Sequence, residues 1–464
     1  MAAAIPYDLA IIGAGPGGYS CALRAAQHGL RVALIERDKI GGVCLNRGCV
    51  PTKVMLEAAA LMRAPSRARL SAVSLGDARL DYPGLLRHQD EVVRWLATGV
   101  EADLFRRQVE ILRGNARLAP DGMVAIEGED GKKVIRASSR VIATGSSERS
   151  LPGITIDGET VIGSTEALHL PQLPRSIAII GAGAVGTEFA SMFVDFGCEV
   201  TLIEALPHIL PLEDEECAAI VAEALQKRGV KVHVATPVRG LALKDGMAAL
   251  TCESEGRSFE VRAEKVLVAV GRRANTAGLG LEALGVKMQR DQVVVDEDLR
   301  ANVPGIYAVG DCIPTLALAH VAAAEGKHVA DLVAGKAPRR LRYQAMPKAT
   351  YCEPELASVG LTEAQAREQG LDVVVVRSPL RQNGKAAIYG DTTGMVKMVA
   401  QRGNGRLLGV HMVGHGATEL IAEAALALQL EATARELAET VHAHPTISES
   451  MLSAAEDAWF ASLG

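Results

Sequence analysis

The chain has 464 residues, enough for roughly three domains of ordinary size. Its 48% hydrophobic and 22% charged residues exclude collagen-like, disordered and small disulfide-scaffold classes. With 49 basic against 55 acidic residues the net charge is −6, and aromatics are only 3%, so no nucleic-acid surface is expected. Apolar runs are short and broken by Gly, Pro or charge, and no membrane span is expected. The chain enters a strand-like segment at residues 7–12 with no basic and apolar leader ahead of it, which predicts a cytoplasmic protein. Eight cysteines are too few for a disulfide framework; six stand singly and read as small buried hydrophobes.

Residues 8–36 read DLAIIGAGPGGYSCALRAAQHGLRVALIE: an apolar strand, a glycine-rich turn, a helix, a tight turn at Gly29 and a second strand. Residues 176–204, SIAIIGAGAVGTEFASMFVDFGCEVTLIE, repeat that pattern 168 residues later, with Gly197 at the tight turn. Each copy is a βαβ unit whose strands suit a buried parallel sheet. Gly13 and Gly181 permit the tight turn. Gly15 and Gly183 let a pyrophosphate approach the helix N-terminus, and Gly18 and Gly186 let helix and strand pack closely. Glu36 and Glu204 stand where a carboxylate accepts hydrogen bonds from ribose hydroxyls. Two dinucleotide sites follow. Glu204 would repel a 2′-phosphate and residues 205–210 hold no Arg or Lys, so NAD is favoured over NADP at the second site.

Between the copies, residues 41–53 read GGVCLNRGCVPTK. Cys44 and Cys49 lie five apart, a helical pattern runs from Val54 to Met62, and Pro51 suits the first helical turn. A helix N-terminus stabilises a thiolate, so the pair reads as redox-active. A metal site would want two more ligands at matching spacing, and none is near. Further strands end in glycine at Gly145 and Gly271, and another, residues 305–309, leads into Gly310 and Asp311. A helix is expected from about Ala317 to Ala334. Beyond about Arg342, strand-like runs at 373–376 and 395–399 and helical segments near 415–430 and 431–440 make a separate α+β domain without a nucleotide signal.

The thiol segment resembles the redox-disulfide signature of the flavin-dependent pyridine nucleotide–disulfide oxidoreductases, and the match extends along the whole chain. GAGPGG at 13–18 resembles the family's FAD pyrophosphate loop and GAGAVG at 181–186 its NAD loop. YAVGD at 307–311 matches the second FAD fingerprint, in which Asp311 holds the ribityl chain. LAH at 318–320 matches the helix start at which Ala319 and His320 present backbone N–H groups to the flavin. HAHPTISE at 442–449 is similar to the C-terminal signature of the branch that oxidises dihydrolipoamide. The chain lacks the terminal cysteine pair of mercuric reductases and the arginines that follow the second unit in glutathione reductases. Soluble transhydrogenases lack the cysteine pair that it has.

The resemblance implies an α/β fold with two doubly wound, Rossmann-like nucleotide-binding domains and a C-terminal α+β dimerisation domain. The expected division is 1–147 for the first part of the FAD domain, 148–275 for the NAD domain, 276–342 completing the FAD domain, and 343–464 for the interface. It implies NAD-dependent oxidation of protein-bound dihydrolipoamide through a disulfide and FAD. Another disulfide reductase with a different thiol substrate, or a non-catalytic flavoprotein subunit, are the alternatives. Cys44 would be the interchange sulfur and Cys49 the inner sulfur. Lys53 would stand beside the reactive edge of the flavin, paired with Glu188 near the nicotinamide. Gly145 joins the FAD set and Gly271 the NAD set. His444, oriented by Glu449, would carry protons and serve the other subunit of a homodimer. The implied partner is a lipoyl domain of a 2-oxoacid dehydrogenase complex, a glycine-cleavage carrier or another lipoyl protein. Arg47 stands where the family commonly has Val.

Overall fold

Apolar runs without polar alternation become the central strands of parallel sheets, as burial on both faces requires. A computed structural model describes residues 6–129 and 131–464. The chain divides into two units: Met1–Pro51, Arg87–Arg149 and Gly271–Leu341 form the first, and Thr52–Leu86, Ser150–Val270 and Arg342–Gly464 the second.

In the first unit the strands run in the order Glu110–Arg113, Val32–Glu36, Pro6–Ile12, Gly131–Ile142, Met123–Gly128, Asn115–Leu118. Ile306–Ala308 pairs with the last residues of Gly131–Ile142. The first four strands are parallel, with Ile11 in register beside Leu34 and Val141. The other two are antiparallel arms, an extension for which the sequence reading had no signal. Leu9, Ile11, Leu34, Val141 and Ile142 are buried at the centre. The helices Pro16–Gln27 and Ala319–Val333 lie against each other. A Cβ on Gly326 would stand 2.2 Å from the Gly17 carbonyl oxygen, so their backbones meet through glycine.

In the second unit a parallel sheet has the order Lys231–His233, Glu199–Ile203, Ser176–Ile180, Lys265–Val268, Val161–Ile162. The helix Ala184–Asp195 buries Phe189, Met192 and Phe193 beside it. A separate antiparallel sheet of three strands occupies Val238–Lys244, Met247–Ser254 and Arg257–Ala263. The C-terminal sheet is antiparallel, in the order Lys348–Thr350, Leu356–Gly360, Leu407–Val413, Met395–Gln401, Val373–Pro379. One face carries Val396, Met398, Val410 and Met412 into a core with the helices Ala417–Gln429 and Glu449–Leu463. The sequence reading had no helix at 449–463. Its buried stripe is Met451, Ala454, Ala455 and Ala458, at helical spacing but mostly alanine, so its apolar contrast is faint.

The opposite face of the C-terminal sheet carries a polar row. Lys348, Ser358, His411, Lys397 and Arg377 are direct cross-strand neighbours, one from each strand. Four of them, all but His411, grip residues 212–216 in chain order. Lys348 donates to the Leu212 carbonyl at 2.6 Å and pairs with Glu213 at 3.2 Å. Ser358 Oγ donates to Glu213, Lys397 pairs with Asp214 at 2.9 Å and Glu216 at 2.8 Å, and Arg377 pairs with Glu216. The Lys397 side chain is only 3% exposed, and its three carboxylate partners, Glu363 being the third, compensate the buried charge. Burial lowers the His411 imidazole to about 4, so it sits neutral in this row with Nε2 bonded to the Leu361 carbonyl.

Candidate active site

The first glycine loop is shaped by contacts that no side chain could share. Gly13 has φ +102°, and a Cβ there would stand 2.3 Å from the Ala143 carbonyl oxygen. A Cβ on Gly18 would stand 1.8 Å from the Gly13 carbonyl oxygen. A Cβ on Gly15 would meet nothing within 4 Å, and the helix Pro16–Gln27 opens without a side-chain cap. That open, uncapped N-terminus fits a diphosphate. The buried Glu36 carboxylate accepts the Ala14 N–H at 2.7 Å and the Asp38 N–H at 2.8 Å. The chain then returns, and the Gly41 N–H donates to the Ala14 carbonyl at 2.8 Å. Glu36 therefore fixes the loop itself, with lone pairs left over for hydroxyl donors.

The return segment delivers the cysteines. Gly41 and Gly42 have positive φ, the short helix Gly42–Arg47 follows, Gly48 breaks it, and a longer helix runs Cys49–Met62. Cys44 is half-buried in the first turn of the short helix, and Cys49 is exposed at the first position of the long one. The sulfurs thus belong to the first turns of two consecutive helices. Asn46 Nδ2 donates to the Ile40 and Gly42 carbonyls, both at 2.9 Å, and ties the short helix to the return segment. Arg47 pairs with Asp38, their side chains 41% and 43% exposed. Burial pushes the Tyr19 phenol up, and the nearby Cys44 and Cys49 add to the shift. The six other cysteines are buried, and burial pushes their thiols up, Cys252 to about 11 and Cys198 and Cys312 to about 12.

Of the remaining FAD-set residues, Gly145, Asp311, Ala319 and His320 also lie in the first unit, and Lys53 belongs to the second. Ser146 Oγ donates to Asp311, while Arg272 Nε donates to Ser146 Oγ at 2.6 Å. The buried Glu325 accepts the Gly310 N–H at 2.6 Å and the Thr315 hydroxyl at 2.8 Å, so it shapes the turn that presents Asp311. Gly145 has φ +64° and its carbonyl accepts the Asn275 N–H at 2.9 Å. Ala319 and His320 open a helix that carries no side-chain cap. Gly271, placed by the sequence reading in the NAD set, belongs to the first unit, where its carbonyl accepts the Arg149 N–H at 3.2 Å. Ser146, Arg272, Asn46 and Glu325 were not singled out from sequence. Each works through partners distant in the chain or through the backbone, which leaves no local pattern to read.

The second glycine loop repeats the first. Gly181 has φ +97°, a Cβ on Gly186 would stand 1.9 Å from the Gly181 carbonyl oxygen, and a Cβ on Gly183 would meet nothing within 4 Å. Glu204 accepts the Ala182 N–H at 2.7 Å and the Leu206 N–H at 3.0 Å. The Leu210 N–H donates to the Ala182 carbonyl at 2.7 Å. On the helix that starts there, Glu188 is almost fully buried and both its oxygens accept from Lys53 Nζ, at 3.0 and 2.8 Å. Its Oε1 also accepts the Tyr351 N–H at 2.9 Å, and the Tyr351 ring centroid lies 4.3 Å from Lys53 Nζ.

His444 belongs to the second unit, on the loop before the terminal helix. Its Nδ1 is 2.8 Å from Glu449 Oε1, and Glu449 Oε2 accepts the Thr446 N–H at 2.8 Å. The Thr446 N–H and then His444 hold the Glu449 carboxyl below the usual carboxylate range. An ionised Glu449 accepts the Nδ1 proton and leaves Nε2 as the acceptor. The His444 side chain is 80% exposed. His442 points inward, with Nε2 2.9 Å from Glu423 and Nδ1 2.9 Å from the Thr440 carbonyl.

Comparison with known proteins agrees along the chain. Residues 7–326 match the pyridine nucleotide-disulphide oxidoreductase family, and residues 346–455 match the dimerisation domain of that family. A dihydrolipoyl dehydrogenase of Zymomonas mobilis is 39% identical over 96% of both chains. One from Bacillus subtilis is also 39% identical, covering 97% of this chain and 98% of its own. Among solved structures, LpdA from Mycobacterium tuberculosis superposes with a TM-score of 0.90 at 29% identity, covering 98% of this chain and 99% of its own. The HOCl-induced flavoprotein disulfide reductase RclA from Escherichia coli gives 0.86 at 29% identity, covering 97% and 99%. The chain belongs to the pyridine nucleotide-disulphide oxidoreductase family.

Proposed function

We infer that this chain is a dihydrolipoyl dehydrogenase, oxidising protein-bound dihydrolipoamide to lipoamide with NAD as the final acceptor. The observation that carries this reading is the combination of two glycine loops of one geometry with a cysteine pair set in the first turns of two consecutive helices. Gly13, Gly15, Gly18, Glu36, Gly145, Asp311, Ala319 and His320 would hold FAD. Gly181, Gly183, Gly186, Glu204 and, by family resemblance, Gly271 would hold NAD. When bound, FAD takes the electron pair of a dithiol and NAD accepts it as hydride.

The chain's own residues handle sulfur and protons. A substrate thiolate attacks Cys44 of the oxidised pair, releasing Cys49 as the thiolate. The second substrate thiolate then opens the mixed disulfide, so lipoamide leaves and both cysteines are reduced. His444 takes a substrate proton at Nε2, because its Nδ1–H donates a hydrogen bond to Glu449. Lys53 supplies a fixed positive charge, held by Glu188.

The chain carries the dimerisation domain of its family and forms a homodimer. His444, reaching outward, serves the partner subunit's Cys44. The four-part division at 147, 275 and 342 follows the motifs, with the middle segment completing the FAD domain. The partner is a lipoyl domain or lipoyl carrier, and the compartment is the cytoplasm. No helix among the described residues is long and apolar enough to cross a membrane, and six of eight cysteines are buried singly.

The test uses two inactive variants. Cys44→Ser and His444→Gln should each abolish NAD reduction by dihydrolipoamide. Refolded together, they form mixed dimers with one intact and one doubly defective site, and roughly a quarter of wild-type activity should return. No recovery after verified subunit exchange would overturn the shared site. Full activity of either homodimer would overturn that residue's assigned role.

A further inference from the structure

We propose that Tyr351 is a positioning residue that holds the Lys53 ammonium in place through the face of its ring. The inference rests on the reading of Lys53 as the lysine beside the flavin. Lys53 reaches Glu188 along a flexible four-carbon stem, and its side chain keeps 35% exposure, so the carboxylate alone leaves it a route to solvent. The Tyr351 ring centroid, 4.3 Å from Nζ, lies well inside cation–π range.

Tyr351 acts on both members of the pair. Its ring meets the cation, and its backbone N–H, 2.9 Å from Glu188 Oε1, fixes the anion. Glu188 thereby spends one oxygen on Tyr351 and Lys53 together and the other on Lys53 alone. The second contact is made by backbone and survives any side-chain change, which allows the ring to be tested by itself. Burial pushes the Tyr351 phenol up, so the ring meets Lys53 as a neutral aromatic face and not as a phenolate. The hydroxyl is then dispensable and the ring is not.

The experiment compares Tyr351→Phe, Tyr351→Leu and Lys53→Met in the FAD-loaded dimer. It reads FAD content, the long-wavelength charge-transfer absorbance after two-electron reduction, and the rate of flavin reduction by dihydrolipoamide. Tyr351→Phe should match wild type. Tyr351→Leu should keep FAD yet slow flavin reduction by about fivefold, with a weaker charge-transfer band. The double variant Tyr351→Leu with Lys53→Met should be no slower than Lys53→Met alone, because the ring acts only through the lysine. If the Leu variant does not fold, Tyr351→Gln removes the ring at similar size and carries the same expectations. Equal behaviour of the ringless variant and Tyr351→Phe, or additive losses in the double variant, would overturn the proposal. A Lys53→Met enzyme identical to wild type would instead overturn the reading of Lys53.

Discussion

The two glycine loops are the same device used twice. In each, the middle alanine is held at both ends of its peptide: its N–H by the glutamate that closes the second strand, its carbonyl by an N–H of the returning chain. Ala14 is held by Glu36 and Gly41, Ala182 by Glu204 and Leu210. The glycine contacts agree within a few tenths of an ångström. What differs is where the returning chain goes. After Gly41 it enters the cysteine helix, and a Cβ on Gly42 would stand 2.7 Å from the Gly15 Cα, so the thiols are hung directly on the loop. After Leu210 it becomes the acidic run 213–216, gripped by the polar row of the C-terminal sheet. The glutamates therefore have a structural duty before any nucleotide arrives. The first return carries the cysteine pair, and the second is anchored to the C-terminal sheet.

The largest effect should come from the helix–strand contact that both copies share. Gly18→Ala and Gly186→Ala each force a Cβ to within 1.9 Å of a carbonyl oxygen or closer, and only separating helix from strand relieves it. That costs more than about 4 kcal/mol locally. Identical collisions should have different consequences: Gly18→Ala should purify without FAD. Gly186→Ala should keep FAD and still be reduced by dihydrolipoamide, yet pass electrons to NAD about a hundredfold more slowly or worse. Absorbance spectra and separate half-reactions check this. Loss of FAD from Gly186→Ala would break the assignment of one cofactor to each loop.

A smaller effect is expected from Glu204→Arg. From charge alone this change should favour NADP, since a repelling carboxylate becomes a phosphate partner. The geometry predicts otherwise, because Glu204 also holds the Ala182 and Leu206 N–H groups. Losing two charge-assisted hydrogen bonds costs about 3 kcal/mol, so KM for NAD should rise roughly a hundredfold with no gain for NADP. Steady-state KM for both nucleotides decides it. Improved NADP use with NAD binding intact would show that the loop stands without Glu204.

The repeat, the thiol pair and the terminal His–Glu signature were legible because each is a local pattern: glycines at fixed spacing, paired cysteines, a histidine before proline. The central parallel strands were legible from unbroken apolar runs. What escaped depends on distance in the chain. Tyr351 meets Glu188 across 163 residues, and Ser146 meets Asp311 across 165. No window of sequence relates them. The polar row across the C-terminal sheet needs all five strands in register before its members become neighbours. The hold of Glu36 and Glu204 on their loops escaped for another reason: their place at the end of the second strand was legible, but the backbone donors that occupy them carry no side-chain signature.

The smallest effect sharpens a side-chain contact that the copies do not share. In the first copy the second N–H donor to the glutamate is Asp38, whose carboxylate pairs with Arg47 between the cysteines. In the second copy the equivalent donor is Leu206, which has no charge to pair. Arg47 thus braces the return segment from the thiol helix. Both side chains are about two-fifths exposed, and an ion pair in that setting contributes at most about 1 kcal/mol. Asn46, with two carbonyl partners on the same segment, already holds the helix there. Arg47→Gln should therefore lower stability by less than about 1 kcal/mol, and high salt should erase the difference from wild type. The alkylation rate of the reduced cysteine pair should stay within about twofold, since the guanidinium is spent on Asp38. A tenfold slower alkylation at unchanged stability would show that Arg47 acts on the thiols themselves.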